Sequence, residues 1–203
     1  MLVSIKKHTC ELANILGAKK IRAFSFFNAY DQKEKVFNYL NIMAETTLSY
    51  GVDFCHENEK DIYGDTLERV QEVMDNTKGL KFIYDPANYL QCGEKADDTL
   101  AAFHDKTDYF HIKDVSLASG AIVPAGKGDG KIDELVKRIT SDKTLTLEPH
   151  LTVFEGYSHI DKTELKHEYT FKNAAEAFDA AVAAIKGILV DAGYTEVGDG
   201  FVK

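Results

Sequence analysis

The sequence lacks any hydrophobic run near the ~18 residues that a membrane span needs. It has only three cysteines, and its 24 basic residues are outnumbered by 33 acidic ones. Its 203 residues carry a formal net charge of -9, so nucleic acid is not an expected partner, because binding to a phosphate backbone needs clustered lysine and arginine. The three cysteines, Cys10, Cys55 and Cys92, form no CxxC motif and are typical of reduced cytoplasmic thiols. The first residues lack the order of a secretory signal, so we expect a cytoplasmic protein that does not bind a membrane.

The composition, 44% hydrophobic and 28% charged, is that of a globular protein with one sizeable core, and we expect a single domain over residues 1–203. Apolar, strand-like segments alternate with helical ones along the chain. Five segments are predicted to be strands: 21–27, 51–57, 80–86, 108–114 and 143–150. This alternation is typical of βα units, which indicates an α/β protein with a parallel sheet covered by helices.

The helical segments carry apolar stripes at the spacing of an α-helix. We expect helices from about residue 3 to 17 and after a cap at Asp31. A third helix would start at Asp65 or Thr66, with Glu68 completing a capping box. A loop of about twenty residues precedes the last helix. The residues of that helix predicted to be buried are Phe178, Ala181, Val182, Ile185, Ile188 and Leu189.

Residue types that bind metal ions stand at or near the ends of four successive predicted strands. They are Glu57, Asp85, His111 and Glu148. The carboxyl ends of parallel strands are where α/β proteins place their sites. Each residue alone is ordinary, since an aspartate before proline is usually part of a turn and a glutamate at a strand end is usually solvated. Four in consecutive positions favour a shared site, although spacing along the chain does not prove that they converge.

A shared site would constrain the shape of the sheet. Neighbouring strands lie about 4.8 Å apart, so a flat sheet would separate Glu57 from Glu148 by ~14 Å. One metal ion with bonds of about 2 Å cannot hold both residues. If all four residues bind one ion, the sheet must therefore curl around an axis, which favours a barrel over an open sheet.

Six segments, taken in order, resemble the sugar phosphate isomerase/epimerase family, which has the xylose isomerase-like (β/α)8 barrel. They are IRAFSFF, CHENEKDIYGDT, KFIYDPANYLQ, YFHIKD, VPAGKGDGKID and LTLEPHL. The resemblance covers nearly the whole chain but begins at the helix before the fourth barrel strand. It implies a partial parallel TIM barrel of about five βα units, strands four to eight, with no counterpart of the first three units in this sequence.

The resemblance also implies a divalent metal ion, with manganese as the first candidate. Magnesium, cobalt and zinc suit the same three carboxylates and one imidazole. The implied ligands are Glu57, Asp85, His111 and Glu148, and the two glutamates would also transfer the proton.

Three further residues are candidates for binding the substrate. Glu59 stands where many relatives of the family have a histidine after the Glu-Asn pair. Asn88 could bond a sugar hydroxyl, or it could be an ordinary loop cap. Lys113 could bind the substrate, or it could simply pair with Asp114.

The implied activity is isomerisation or epimerisation of a sugar or sugar phosphate, which needs a base, an acid and stabilisation of an enediolate. One alternative is a polyol dehydratase, and another is an endonuclease IV-like hydrolase, although that chemistry uses a His-rich zinc cluster and a basic groove. A third alternative is an inactive fragment or a binding protein. Because five strands leave two open sheet edges, we expect a homo-oligomer.

The glycine-rich segment PAGKGDG does not fit a phosphate-binding P-loop, since Gly128 rather than serine or threonine follows Lys127. We expect it to form a flexible lid over the mouth of the barrel.

Overall fold

The five predicted strands form one parallel sheet in the computed structural model, which describes residues 2–152 and 166–203. The strands lie side by side in chain order: β1 (Lys20–Ala23), β2 (Asp53–Glu57), β3 (Lys81–Tyr84), β4 (Tyr109–Ile112) and β7 (Thr144–Leu147). The sheet is curled into a half-barrel, and side chains of its first and last strands meet across the inside. The predicted partial parallel barrel is therefore confirmed.

Helices precede, connect and follow these strands. They are α1 (Leu2–Leu16), α2 (Lys33–Leu48), α3 (Leu67–Asn76), α4 (Pro86–Gln91), α5 (Ala96–Phe103), α6 (Ile132–Lys137) and α7 (Ala174–Asp191), with a 3₁₀ turn (His104–Lys106) after α5. Among the described helices, none combines the length and apolar character that crossing a membrane requires.

Two small sheets were not predicted. A three-stranded sheet joins β5 (Asp114–Val115), β6 (Ala121–Val123) and β8 (Lys166–His167) just beyond the carboxyl end of β4. An antiparallel hairpin of β9 (Thr195–Val197) and β10 (Gly200–Val202) follows α7. The long loop expected before the last helix lies mostly outside the described residues.

The core lies between the outer face of the sheet and the helices. Side chains alternate across a strand, so β2 sends Phe54 outward, where it packs with Leu40 of α2, and sends Glu57 inward. On the other half of the sheet, Phe110 belongs to a buried cluster that includes Leu100 of α5 and Ile185 of α7. This alternation leaves the polar residues facing the axis of the curl.

Strand β1 is shorter than predicted. It ends at Ala23, and the aromatic residues that follow leave the sheet. Phe27 forms an isolated antiparallel bridge with Ile62, and Asn28 has a left-handed φ of 52°. The expected strand over residues 21–27 is therefore wrong beyond Ala23, because the chain pairs with a loop there instead of with β2.

The predicted cap of α2 is also wrong, since Gln32 rather than Asp31 is the N-cap and makes no side-chain cap bond. Thr66 caps α3 as one of the two predicted candidates, and its side chain accepts a bond from the Arg69 amide. In α7, Phe178 is 50% exposed, so its predicted burial is wrong. The buried stripe of α7 consists of Ala177, Ala181, Ile185 and Leu189.

Candidate metal centre

The four predicted ligands meet at the carboxyl end of the curled sheet. Glu57 ends β2, Asp85 follows β3, His111 lies in β4 and Glu148 follows β7. One ligand atom from each residue lies within 4.8 Å of the others. The first three side chains are buried, and that of Glu148 is 25% exposed. Among the described residues, this is the one group of at least three such side chains close enough to hold an ion.

His111 lies between the two glutamates. Its Nδ1 is 2.8 Å from Oε1 of Glu57 and 3.3 Å from Oε2 of Glu148. Burial works against a charged imidazole, but these two hydrogen bonds prevail and raise the pKa of His111 to about 10. Burial likewise opposes ionisation of Glu148, yet its bond to His111 holds the pKa of that carboxyl far below its usual range.

Arg22 of β1 contacts the other oxygen of each glutamate. Its Nε donates to Oε2 of Glu57, and its Nη2 donates to Oε1 of Glu148 at 3.2 Å. Sequence reasoning missed this residue. The available signal was a single arginine inside an apolar segment, placed two positions after Lys20 and therefore on the same face of the strand.

Lys113 neutralises the other side of the cluster. Its Nζ lies 2.9 Å from Oδ2 of Asp85 and 3.6 Å from Oε2 of Glu148, and the side chain is 4% exposed. Burial lowers the pKa of the lysine, but the neighbouring Asp85 carboxylate more than offsets it and raises the pKa above its usual value. For Asp85, burial dominates over Lys113 and raises its pKa to about 6.

A network of amides fixes Asp85. The side chain of Asn58 donates to the Asp85 carbonyl at 2.9 Å and accepts from the Asp85 amide at 2.8 Å. The Asn88 amide donates to Oδ1 of Asp85 at 3.0 Å, and the Asn88 side chain donates to the Asn58 carbonyl at 2.8 Å. Asn88 is buried, and Glu59 is partly buried and accepts a bond from the Lys60 amide. The substrate roles expected for Asn88, Glu59 and Lys113 stay predictions.

The residues present fit a divalent cation. Three carboxylates and an imidazole are ligands for manganese, magnesium, cobalt or zinc. Ligand atoms bonded to one ion at about 2 Å lie at most about 4 Å apart, so the 4.8 Å spread requires only a small closure of the side chains. Nε2 of His111 is buried with no hydrogen-bond partner among the described residues.

Asp114 ties the glycine-rich segment to the end of β4. Its carboxylate accepts hydrogen bonds from the amides of Gly126, Gly128 and Gly130 at 2.9 to 3.1 Å, and from the amide of Val115 at 2.9 Å. Burial raises the pKa of Asp114, partly offset by these bonds. Asp114 is thus not the partner of Lys113, and its four bonds argue against the flexible lid expected from the sequence.

The model of the xylose isomerase-like TIM barrel family matches residues 3–167. The chain belongs to this family. No curated protein matches the sequence.

Solved structures of this family share its fold at low sequence identity. A structure of L-ribulose 3-epimerase has a TM-score of 0.71 and 19% identity, over 94% of this chain and 67% of that one. The IolI protein with a bound zinc atom has a TM-score of 0.69 and 18% identity, over 93% of this chain and 69% of that one. The probable 3-DHS dehydratase AsbF from Bacillus anthracis has a TM-score of 0.69 and 16% identity, over 91% of this chain and 69% of that one.

Proposed function

We propose that this chain is a sugar or sugar-phosphate isomerase or epimerase that depends on a divalent cation, with manganese as the first candidate. The observation that carries the proposal is the convergence of Glu57, Asp85, His111 and Glu148 within 4.8 Å at the carboxyl end of the barrel strands. The structural relatives include an L-ribulose 3-epimerase and a D-allulose 3-epimerase from Methylomonas sp.. These relatives support sugars as the class of substrate.

Asp85 and His111 would mainly hold the ion in this proposal. When bound, the cation would polarise a substrate carbonyl and offset the negative charge that develops on its oxygen. Glu57 and Glu148 would move the proton, one as base and one as acid. Each has two distinct oxygens, one toward His111 and one toward Arg22, so a carboxylate can ligate with one oxygen and exchange a proton with the other.

The substrate would lie beside Lys113, Glu59 and Asn88. Lys113 is the best placed of the three, since its ammonium group already faces two carboxylates of the cluster. An endonuclease IV-like hydrolase finds less support, because the cluster formed by the described residues contains a single histidine. A dehydratase uses similar groups, and one structural relative is a probable dehydratase.

Deuterium exchange tests the proposal. The chain is incubated with Mn²⁺ and D₂O in the presence of L-ribulose or D-allulose, and deuterium next to the carbonyl is followed by NMR. We expect exchange in the wild type and its loss in Glu57→Gln and Glu148→Gln, which keep the shape of the side chain but remove the base. Glu72→Gln, outside the cluster, is the control and should exchange normally.

Two results would contradict this function. Normal exchange in both glutamine variants would refute the assignment of the base. Stoichiometric Mn²⁺ binding without exchange on either sugar would favour a binding protein.

A further inference from the structure

Arg22 occupies a position in the cluster that the proposed reaction does not explain. It lies in β1, across the inside of the half-barrel from Glu148, and its side chain is 37% exposed. Its guanidinium also lies over the ring of Phe24, with 4.6 Å between Cζ and the ring centroid. A guanidinium is planar and can donate to two carboxylates at once, so this one is held in a defined orientation by three neighbours.

The contacts divide the four glutamate oxygens into two pairs. Arg22 donates hydrogen bonds to Oε2 of Glu57 and Oε1 of Glu148. Nδ1 of His111 faces the other two oxygens, Oε1 of Glu57 and Oε2 of Glu148. Oε2 of Glu148, on the His111 side, also lies 3.6 Å from the ammonium group of Lys113. An ion held by all four ligands would therefore meet one oxygen from each glutamate.

We infer that Arg22 is a positioning residue of the metal centre, which holds the outer oxygen of Glu57 and of Glu148 so that each glutamate offers one inner oxygen to the ion. The inference rests on the proposed metal site. Residues that hydrogen-bond to ligating side chains orient those ligands and tune the affinity for the metal. Without Arg22, the two carboxylates lose a shared cation. Glu57 is then free to rotate or to bind an ion through both oxygens, whereas Oε1 of Glu148 still has Nε2 of His150 at 3.7 Å.

The same outer oxygens are the ones available for proton exchange in the proposed reaction. Arg22 donates a hydrogen bond to each of them, and a guanidinium does not give up its proton at ordinary pH. A substrate that exchanges a proton with one of them must displace the guanidinium from that oxygen. Because the Arg22 side chain is partly exposed, its guanidinium can move toward solvent.

Lys20 provides a matched control. It lies two residues before Arg22 on the same face of β1, and its Nζ bonds to the Thr144 hydroxyl at 3.3 Å rather than to a ligand of the cluster. Replacing Lys20 with methionine removes an inward-facing cation of the same strand without touching Glu57 or Glu148. If removing a positive charge or disturbing β1 were enough to lower the affinity for Mn²⁺, the loss would appear in both Lys20→Met and Arg22→Met.

The test is Mn²⁺ titration calorimetry on the wild type, Arg22→Met, Arg22→Lys and Lys20→Met, with circular dichroism to confirm folding. Arg22→Met should bind Mn²⁺ about 10- to 100-fold more weakly, as for other losses of a residue that orients metal ligands. Arg22→Lys should recover little, because an ammonium group lacks the planar fork of donors by which Arg22 meets both carboxylates. Lys20→Met should bind as tightly as the wild type.

The visible spectrum of bound Co²⁺ adds a readout that a general loss of stability would not change. If the glutamates rebind through both oxygens, the coordination number changes, and the d–d bands of Co²⁺ in Arg22→Met differ in position and intensity from those of the wild type. Unchanged or tighter Mn²⁺ binding by Arg22→Met, with an unchanged Co²⁺ spectrum, would overturn the role of Arg22 and leave the metal site standing. A wild type that binds no Mn²⁺ would overturn the metal site itself.

Discussion

Lys20 in β1 and Thr144 in β7 are joined by a hydrogen bond of 3.3 Å, although three strands lie between them in the sheet. In a flat sheet these two strands would be ~19 Å apart, since neighbouring strands are about 4.8 Å apart. A lysine side chain does not span that distance. The contact therefore shows that the sheet is curled. The same curl brings Glu57 and Glu148 together in one cluster.

The buried ammonium of Lys113 should stabilise the metal-free protein. Lys113→Met leaves Asp85 and Glu148 without that cation, and removing one partner of a buried ion pair typically costs about 3–5 kcal/mol. We expect a loss of that size in the free energy of unfolding, measured with urea in the presence of EDTA. Lys186→Met removes an exposed pair with Glu196 and should cost less than about 1 kcal/mol. Equal losses in the two variants would contradict this role for Lys113.

The glycine-rich segment should tolerate no side chain at Gly128. A Cβ there would lie 2.5 Å from Oδ1 of Asp114 and 2.5 Å from the Val115 carbonyl oxygen. Gly128→Ala should therefore lower the free energy of unfolding by more than about 2 kcal/mol. Gly187→Ala in α7 is the control, since an added Cβ there meets no heavy atom within 4 Å apart from its chain neighbours and the nearby backbone of its own helix. The free energy of unfolding of Gly187→Ala should rise by about 0.5–1 kcal/mol. A Gly128→Ala protein as stable as the wild type would refute the clash.

His56 should make stability depend on pH. It is buried in β2, and neither ring nitrogen has a hydrogen-bond partner among the described residues. Burial lowers the pKa of His56 to about 4, whereas an unfolded histidine has a pKa of about 6.5.

Between these two values the unfolded chain binds a proton that the folded chain does not, so stability falls as the pH falls through this window. The loss should reach about 3 kcal/mol near pH 4. Urea unfolding across this pH range should show a shallower dependence in His56→Leu than in the wild type. The same slope in both proteins would show that His56 does not carry the effect.

The five strands and the four candidate ligands could be predicted because both are visible in the local sequence. Each strand is a short apolar segment, and Glu57, Asp85, His111 and Glu148 stand at or near the end of one. Parallel strands bring such positions to the same edge of a sheet. The curl of the sheet was inferred from the distance that would separate Glu57 from Glu148 in a flat sheet, and not from a residue pattern.

Arg22 could not be predicted as part of the cluster because its partners are distant in the chain. It contacts Glu57 and Glu148, which lie 35 and 126 residues further on. The aromatic residues after Ala23 also suggested a longer strand, whereas Phe27 pairs with Ile62 of a loop. Such pairings depend on how two loops meet at the barrel mouth. The strand propensity of a segment does not predict which loop it will meet.

The open edges of the sheet should cause self-association. In residues 2–152 and 166–203, no strand pairs with the outer edge of β1 or of β7, and unpaired edges are templates for other strands. On α1, Ile15 and Leu16 are 79% and 81% exposed. We expect light scattering on the 203-residue chain to give the mass of a homo-oligomer. A stable monomer with cooperative unfolding would contradict this expectation.

The most direct test of the metal centre is an anomalous difference map from crystals grown with Mn²⁺. We expect one peak, at bonding distance from one oxygen each of Glu57, Asp85 and Glu148 and from one nitrogen of His111. A well-ordered crystal with these four side chains in place but no manganese between them, or with manganese bound elsewhere, would contradict the proposed metal centre.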